Sequence, residues 1–185
     1  MEITEFFQDL KTPATVLHVI SVITGMGAAL MSDLLFSFFS KDKKLSRGEI
    51  ATLSVLARVV LYSLVCIVLS GIFIFLTDVD KYIHSAKFLA KMSILAILLA
   101  NGYFLNKYIW PHLLNKNFFT FKKERGIRRL AFMCGAISVI SWLSVCTLGI
   151  LDDLNMRYIS IISVYALVTV CGVAISFLVE KKELN

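Results

Sequence analysis

The side chains with chemical capacity fall inside stretches that are otherwise apolar. His18 lies in TVLHVISVITGMGAALMSDLL, and Lys91 lies in AKFLAKMSILAILLANGYF. His84, Lys87 and Lys91 are spaced i, i+3 and i+7, one face of a continuous helix. Asp33 and Arg58 lie further along the first and second apolar runs. An imidazole can ligate a metal or pass a proton, and an ammonium can hold an anion. A lysine at the centre of a membrane helix costs roughly 2.5–3.5 kcal/mol, and less near an interface where it snorkels. Ionisable groups kept at that cost mark functional sites by default.

The elements that position these groups follow from composition. The chain has 185 residues, 58% hydrophobic and 17% charged, with mean hydropathy +0.79. An average soluble domain is about 45–50% apolar and about 25% charged. Apolar runs of about 20 residues recur, so the expected class is all-α: a polytopic membrane protein with five transmembrane helices. One bundle uses the whole chain, 1–185, as a single domain. The spans are expected at about 13–38, 50–77, 86–110, 127–151 and 156–179. Pro13 suits a helix start, and Trp110-Pro111 a helix end, because proline offers no N–H. The connection HLLNKNFFTFKKERGIRR, with its six basic residues, is expected on the membrane surface. Asp152-Asp153-Leu154-Asn155 reads as a tight turn.

Charge sets the orientation. Lys41, Lys43, Lys44 and Arg47 follow the first span; Lys107, Lys116, Lys122, Lys123, Arg125, Arg128 and Arg129 surround the third connection; Lys181 and Lys182 follow the last span. The opposite side holds Lys11, Lys81, Lys87 and Arg157, offset by Glu2, Glu5, Asp9, Asp78, Asp80, Asp152 and Asp153. The positive-inside rule then puts the amino terminus outside and the carboxyl terminus in the cytoplasm of a bacterial inner membrane. The acidic start MEITEFFQDLKTP has no basic n-region, so the first run is expected to be a retained span. The net charge of +6 is spent on topology. No basic patch with interleaved aromatics lies on a soluble segment, so nucleic-acid binding is excluded.

This topology puts His18, Lys87 and Lys91 at similar depth near the outer surface. With His84 at the rim they would line one outward-facing polar pocket. The plain alternative is an interfacial histidine bonded to a carbonyl, with both lysines snorkelling. His18, Ser21, Gly25, Ala28, Ala29 and Ser32 form a small or polar stripe. Such a stripe serves close helix packing, and it could also leave room for a flat macrocycle beside His18. Asp33 and Arg58 fall at one depth in the inner half and are expected to pair, the alternative being a proton or substrate path. Asn101 is expected to bond across helices, and His112 lies on the cytoplasmic side. The last two spans carry Cys134, Ser138, Ser141, Thr169, Gly172 and Ser176 as a packing wall. Cys66, Cys134, Cys146 and Cys171 have no CxxC spacing and read as small core residues. No Ser/His/Asp set, phosphate loop or carboxylate pair supports a soluble-enzyme mechanism. Calcium at Asp152-Asp153 or Asp78/Asp80 would have too few oxygen ligands.

Three segments carry a resemblance: HVISVITGMGAALMSDLLF, LARVVLYSLVCIVLSGIFIFL and FLAKMSILAILLANG. Over roughly Thr15 to Leu114 the chain resembles the superfamily of the copper-resistance protein D membrane domain and the bacterial membrane protoporphyrinogen oxidase that is not a flavoprotein. The resemblance implies that His18 and Lys91 are the key polar residues, with Lys91 the candidate catalytic one. It also implies a link to haem; on the residues' own reading haem b would be held in a pocket of His18, His84, Lys87 and Lys91, with His18 as axial ligand, His84 as the second and Lys91 or Lys87 on a propionate. Ser32-Asp33-Leu34-Leu35 departs from the Tyr-Leu-Pro-Arg-like segment of the oxidase type. Three functions stay open: a haem-binding, redox-linked membrane protein; a small-ion transporter of the copper type; and an accessory membrane protein without catalysis. The implied partners are the lipid bilayer, further copies of the chain and a membrane redox partner.

Overall fold

In the computed structural model, residues 3–40, 45–113, 125–151 and 156–184 are described. Helix α1 spans Ile3–Ser40 and α2 spans Arg47–Leu76. A short α3, Val79–Ile83, precedes α4, Ala86–Phe104. The same rod continues through a π-helical turn, Leu105–Ile109, into α5, Trp110–Leu113. Helices α6, Arg125–Ile150, and α7, Tyr158–Leu184, complete the described elements. Five of these rods are long and apolar enough to cross a membrane: Leu10–Ser40, Arg47–Leu76, Ala86–Leu113, Gly126–Ile150 and Tyr158–Leu178.

The helix ends depart from expectation for local reasons. Pro13 lies inside α1 rather than at its start. Helix α2 begins earlier than expected because Ser46 and Glu49 form a reciprocal cap: the Glu49 N–H donates to Ser46 Oγ at 3.2 Å, and the Ser46 N–H donates to Glu49 Oε2 at 2.6 Å. The third rod passes Pro111 instead of stopping there. Its N–H ladder switches just before, where Trp110 donates to the Leu105 carbonyl, five residues back. A widened turn of this kind gives a proline ring room that a regular α-turn denies it. The expected surface connection has its middle, 114–124, outside the described residues, and its last basic residues begin α6. The turn at Asp152-Asn155 also lies outside them.

Small residues decide how the rods pack. Helices α1 and α2 form one hairpin-like pair and α6 packs on α7, with α4 against α6 and α7. Helix α1 also meets α6. A Cβ at Gly25 would come within 2.7 Å of the Trp142 ring and 2.9 Å of Ser63 Cβ, so α1, α2 and α6 meet at that glycine. Trp142 joins Ala29, Leu64, Ile67 and Leu98 in the central cluster. Most other large apolar side chains face outward, with Ile150 76% and Ile159 73% exposed. Such a surface suits hydrocarbon, which wets leucine as well as another leucine does.

An aromatic clasp closes one end. Phe75 stacks on Phe88 at 5.5 Å, and Tyr82 tilts against both rings. Burial, and then the Asp78 carboxylate, push the Tyr82 hydroxyl above its ordinary range. A raised acid binds its proton more tightly in the folded state, so its contribution is complete below the unfolded tyrosine range and is lost as pH rises through the folded one. The clasp should therefore loosen only in strong alkali. In an ultraviolet phenolate titration, the wild type should show one late-ionising tyrosine that Tyr82→Phe removes; an unchanged curve would show that Tyr82 titrates like the others.

Candidate functional site

The candidate site around His18 is built from α1, α2 and α4. His18 is half-buried, and its Nδ1 lies 3.0 Å from Ser70 Oγ. The Ile67 carbonyl is a further acceptor for the imidazole. Ser70 is buried, and its hydroxyl bonds the Cys66 carbonyl. The ring rests against α2 beside Gly71, where a Cβ would be in ordinary van der Waals contact, 3.6 Å from His18 Cε1. The Lys91 ammonium on α4 is near enough for its charge to act on the imidazole. His18 on α1 and Lys91 on α4 thus lie within electrostatic reach of each other. Ser70 was not singled out in the sequence. A serine one turn after Cys66 and Ile67 on a helix otherwise rich in leucine and valine was the available signal.

The other two members of the expected pocket go elsewhere. His84 is exposed and ends α3, its Nδ1 bonded to the Asp80 carbonyl at 2.8 Å. Ser85 starts a new helix by capping Phe88. The expected shared face of His84, Lys87 and Lys91 is thus broken by a chain turn. Lys87 donates to the Leu151 carbonyl at the end of α6. That contact satisfies a helix C-terminus, where an ammonium is favoured.

The described residues do not fit a haem beside His18. The imidazole rests on Ser70 and Gly71 of α2. The small stripe that could have made a slot is filled: Ser21, Gly25, Ala28 and Ala29 are buried, and the Trp142 ring covers Gly25. His84, the expected second ligand, is exposed and bonded to the Asp80 carbonyl. Among the described residues, no three His, Cys, Asp or Glu side chains converge as metal ligands. A groove of about 200 Å³ lined by Leu61, Leu64, Val65, Val68, Leu69 and Leu99 is wholly apolar.

The inner half differs from expectation as well. Arg58 is exposed, and its Nε donates to Ser54 O on its own helix at 3.4 Å. Asp33 turns to α6 instead, its Oδ1 placed 3.1 Å from where a Gly135 Cβ would stand. The expected ion pair does not form, because helical phase points the two side chains at different neighbours. Asn101 does bond across helices, donating from Nδ2 to the Cys134 carbonyl at 2.9 Å. Of the four cysteines only Cys134 is buried; all four are free, and Cys171 is exposed. Ser141 bonds Tyr165, and a Cβ at Gly172 would strike Ile140, so the α6–α7 seam is a packing wall. His112 is half-buried on α5, remote in sequence and element from the outer site. Comparison with known proteins adds no relative: no protein family, curated protein or solved structure matches this chain.

Proposed function

We propose that the protein is a small-ion-handling integral membrane protein of a bacterial cytoplasmic membrane, with its carboxyl terminus in the cytoplasm and its ion-receiving site at the outer end. The observation that carries this reading is the His18–Ser70 bond between α1 and α2, with the Lys91 charge of α4 in electrostatic reach. Ser70 engages Nδ1, which fixes the ring against α2. The nearby ammonium makes the site cationic, suited to drawing in an anion or to passing a proton from the imidazole. His18 and Lys91 are also the positions that matter in the resemblance. The haem reading has less support, given the closed α1–α2 seam.

The test uses the full chain. Lys91→Met and His18→Ala should each reduce ion uptake, or tolerance of the transported ion, by about tenfold. Ser70→Ala should weaken it less, since only the imidazole orientation is lost. Uptake unchanged in both His18 and Lys91 variants would sink this reading. A Soret band in the freshly purified protein, lost in His18→Ala, would return the site to haem chemistry.

A further inference from the structure

We infer that Asp33 is an exchangeable proton site, reached from the end of the bundle that holds Ser40 and Arg128. This second site stands apart from the outer one and does not depend on it. Asp33 is partly buried, and its Oδ2 is wholly buried with no hydrogen-bond partner. A membrane helix that keeps a carboxyl group there carries a cost that leucine would avoid. The groups around it are countable. Helix α6 presents the Cys134 thiol, whose interaction with Asp33 is electrostatic, and the Gly135 backbone. Helix α4 presents Asn101, whose amide nitrogen is engaged by the Cys134 carbonyl. On α2, Arg58 is exposed and bonded to its own backbone.

The ligand follows from that inventory. A metal cation bound through oxygen needs several converging ligands. A proton needs one oxygen, and Oδ2 is that oxygen. When a proton arrives from water, an O–H bond forms at Oδ2; when it leaves, the bond breaks and water carries it away. No other oxidant, reductant or co-reactant is needed.

The access side follows from the helices. Seven residues separate Asp33 from Ser40 at the end of α1, a rise of about 10 Å. On α6, Arg128 lies seven residues before Gly135, on the same face, and is buried. The route to that end is the shorter one along α1, and it passes the cluster of Ile109, Leu113, Ala131 and Cys134 with Phe36 and Ile127. In the other direction stands the apolar cluster of Ala29, Leu64, Ile67, Leu98 and Trp142. His18 is fifteen residues away on α1, about 22 Å. The packed cluster thus divides the inner proton site from the outer imidazole.

Dicyclohexylcarbodiimide is the probe. It partitions into apolar regions and reacts only with a protonated carboxyl group, whose proton moves to a carbodiimide nitrogen as the oxygen adds to the central carbon. The acyl group then migrates to nitrogen as a stable acylurea. In the full-length protein, peptide mass spectrometry should find Asp33 labelled about tenfold more than Asp78, Asp80 or Glu49. Asp33→Asn should abolish that label, and Asp33→Glu should retain it if Asn folds poorly. In vesicles of known orientation, acidifying only the compartment that bathes the Ser40–Arg128 end should raise the labelling rate. Labelling no greater at Asp33 than at loop carboxylates would overturn the site. Protection by sodium would overturn the choice of proton. Acceleration from the opposite compartment would overturn the access side. Loss of ion uptake in the His18 and Lys91 variants bears on neither outcome.

Discussion

Trp142→Ala should destabilise the detergent-solubilised protein by about 3 kcal/mol. Trp142 is 1% exposed and sits where α1, α2, α4 and α6 meet, against Gly25, Ser63, Ala29, Leu64, Ile67 and Leu98. Truncating a buried tryptophan in a soluble core costs about 3–5 kcal/mol, part transfer and part cavity. In a membrane the transfer part shrinks, because separated helices still rest in hydrocarbon. The cavity part remains, since the indole's dispersion contacts vanish. The lower end of the range therefore applies. Trp142→Phe should cost much less. The Nε1 of Trp142 has no hydrogen-bond partner, so phenylalanine gives up volume but no bond. Thermal retention of monodisperse protein, followed by size exclusion after heating, measures both. Equal retention of wild type and Trp142→Ala would show that the indole does not hold these helices together.

The second large effect comes from the partner surface. Gly25→Ala should cost about 1–3 kcal/mol through overpacking. The new methyl would meet the Trp142 ring at 2.7 Å and Ser63 Cβ at 2.9 Å. Neither neighbour is the loose end of a flexible chain: one is an aromatic ring and the other the root of a side chain on α2. The helices must separate, and the whole α1–α2–α6 contact loosens. Gly27 provides the control. Nothing lies within 4 Å of a Cβ there. Gly27→Ala should be neutral or slightly stabilising, because alanine is the better helix former. Adding Trp142→Phe to Gly25→Ala should recover part of the loss, a coupling expected of residues in contact. The same heating assay reads all three. Equal losses from alanine at 25 and at 27 would mean that helix propensity, not close approach, sets the effect.

The same glycine shows why the small-residue stripe was ambiguous. A row of Ser21, Gly25, Ala28 and Ala29 says that something approaches α1 closely. It does not say whether the visitor is a macrocycle or a side chain from a distant part of the chain. Trp142 lies 117 positions further on, and only folding brings it to Gly25. His84 shows a second limit. Its spacing to Lys87 and Lys91 fits a helix face only if the helix is unbroken. Asp78 and Ser85 each cap a separate helix, and a two-helix corner removes His84 from the row. Asp33 and Arg58 show a third. Equal depth is readable from span length, but rotation about each axis is not.

The sequence by itself determined the all-helical, membrane-type class and the number of candidate spans. These follow from the run of apolar residues against bilayer thickness, a one-dimensional property. It also identified His18 and Lys91 as the two polar groups worth placing together, because charge inside an apolar run is conspicuous. Only the tertiary structure decided the azimuth of each helix, and with it who meets whom: Ser70 for His18, Gly135 for Asp33, Cys134 for Asn101 and Trp142 for Gly25. The physical reason is that lipid rewards every apolar face equally. The rotation of these helices is therefore set by close packing of small residues and by a few interhelical bonds, which are properties of pairs of helices and not of any one segment.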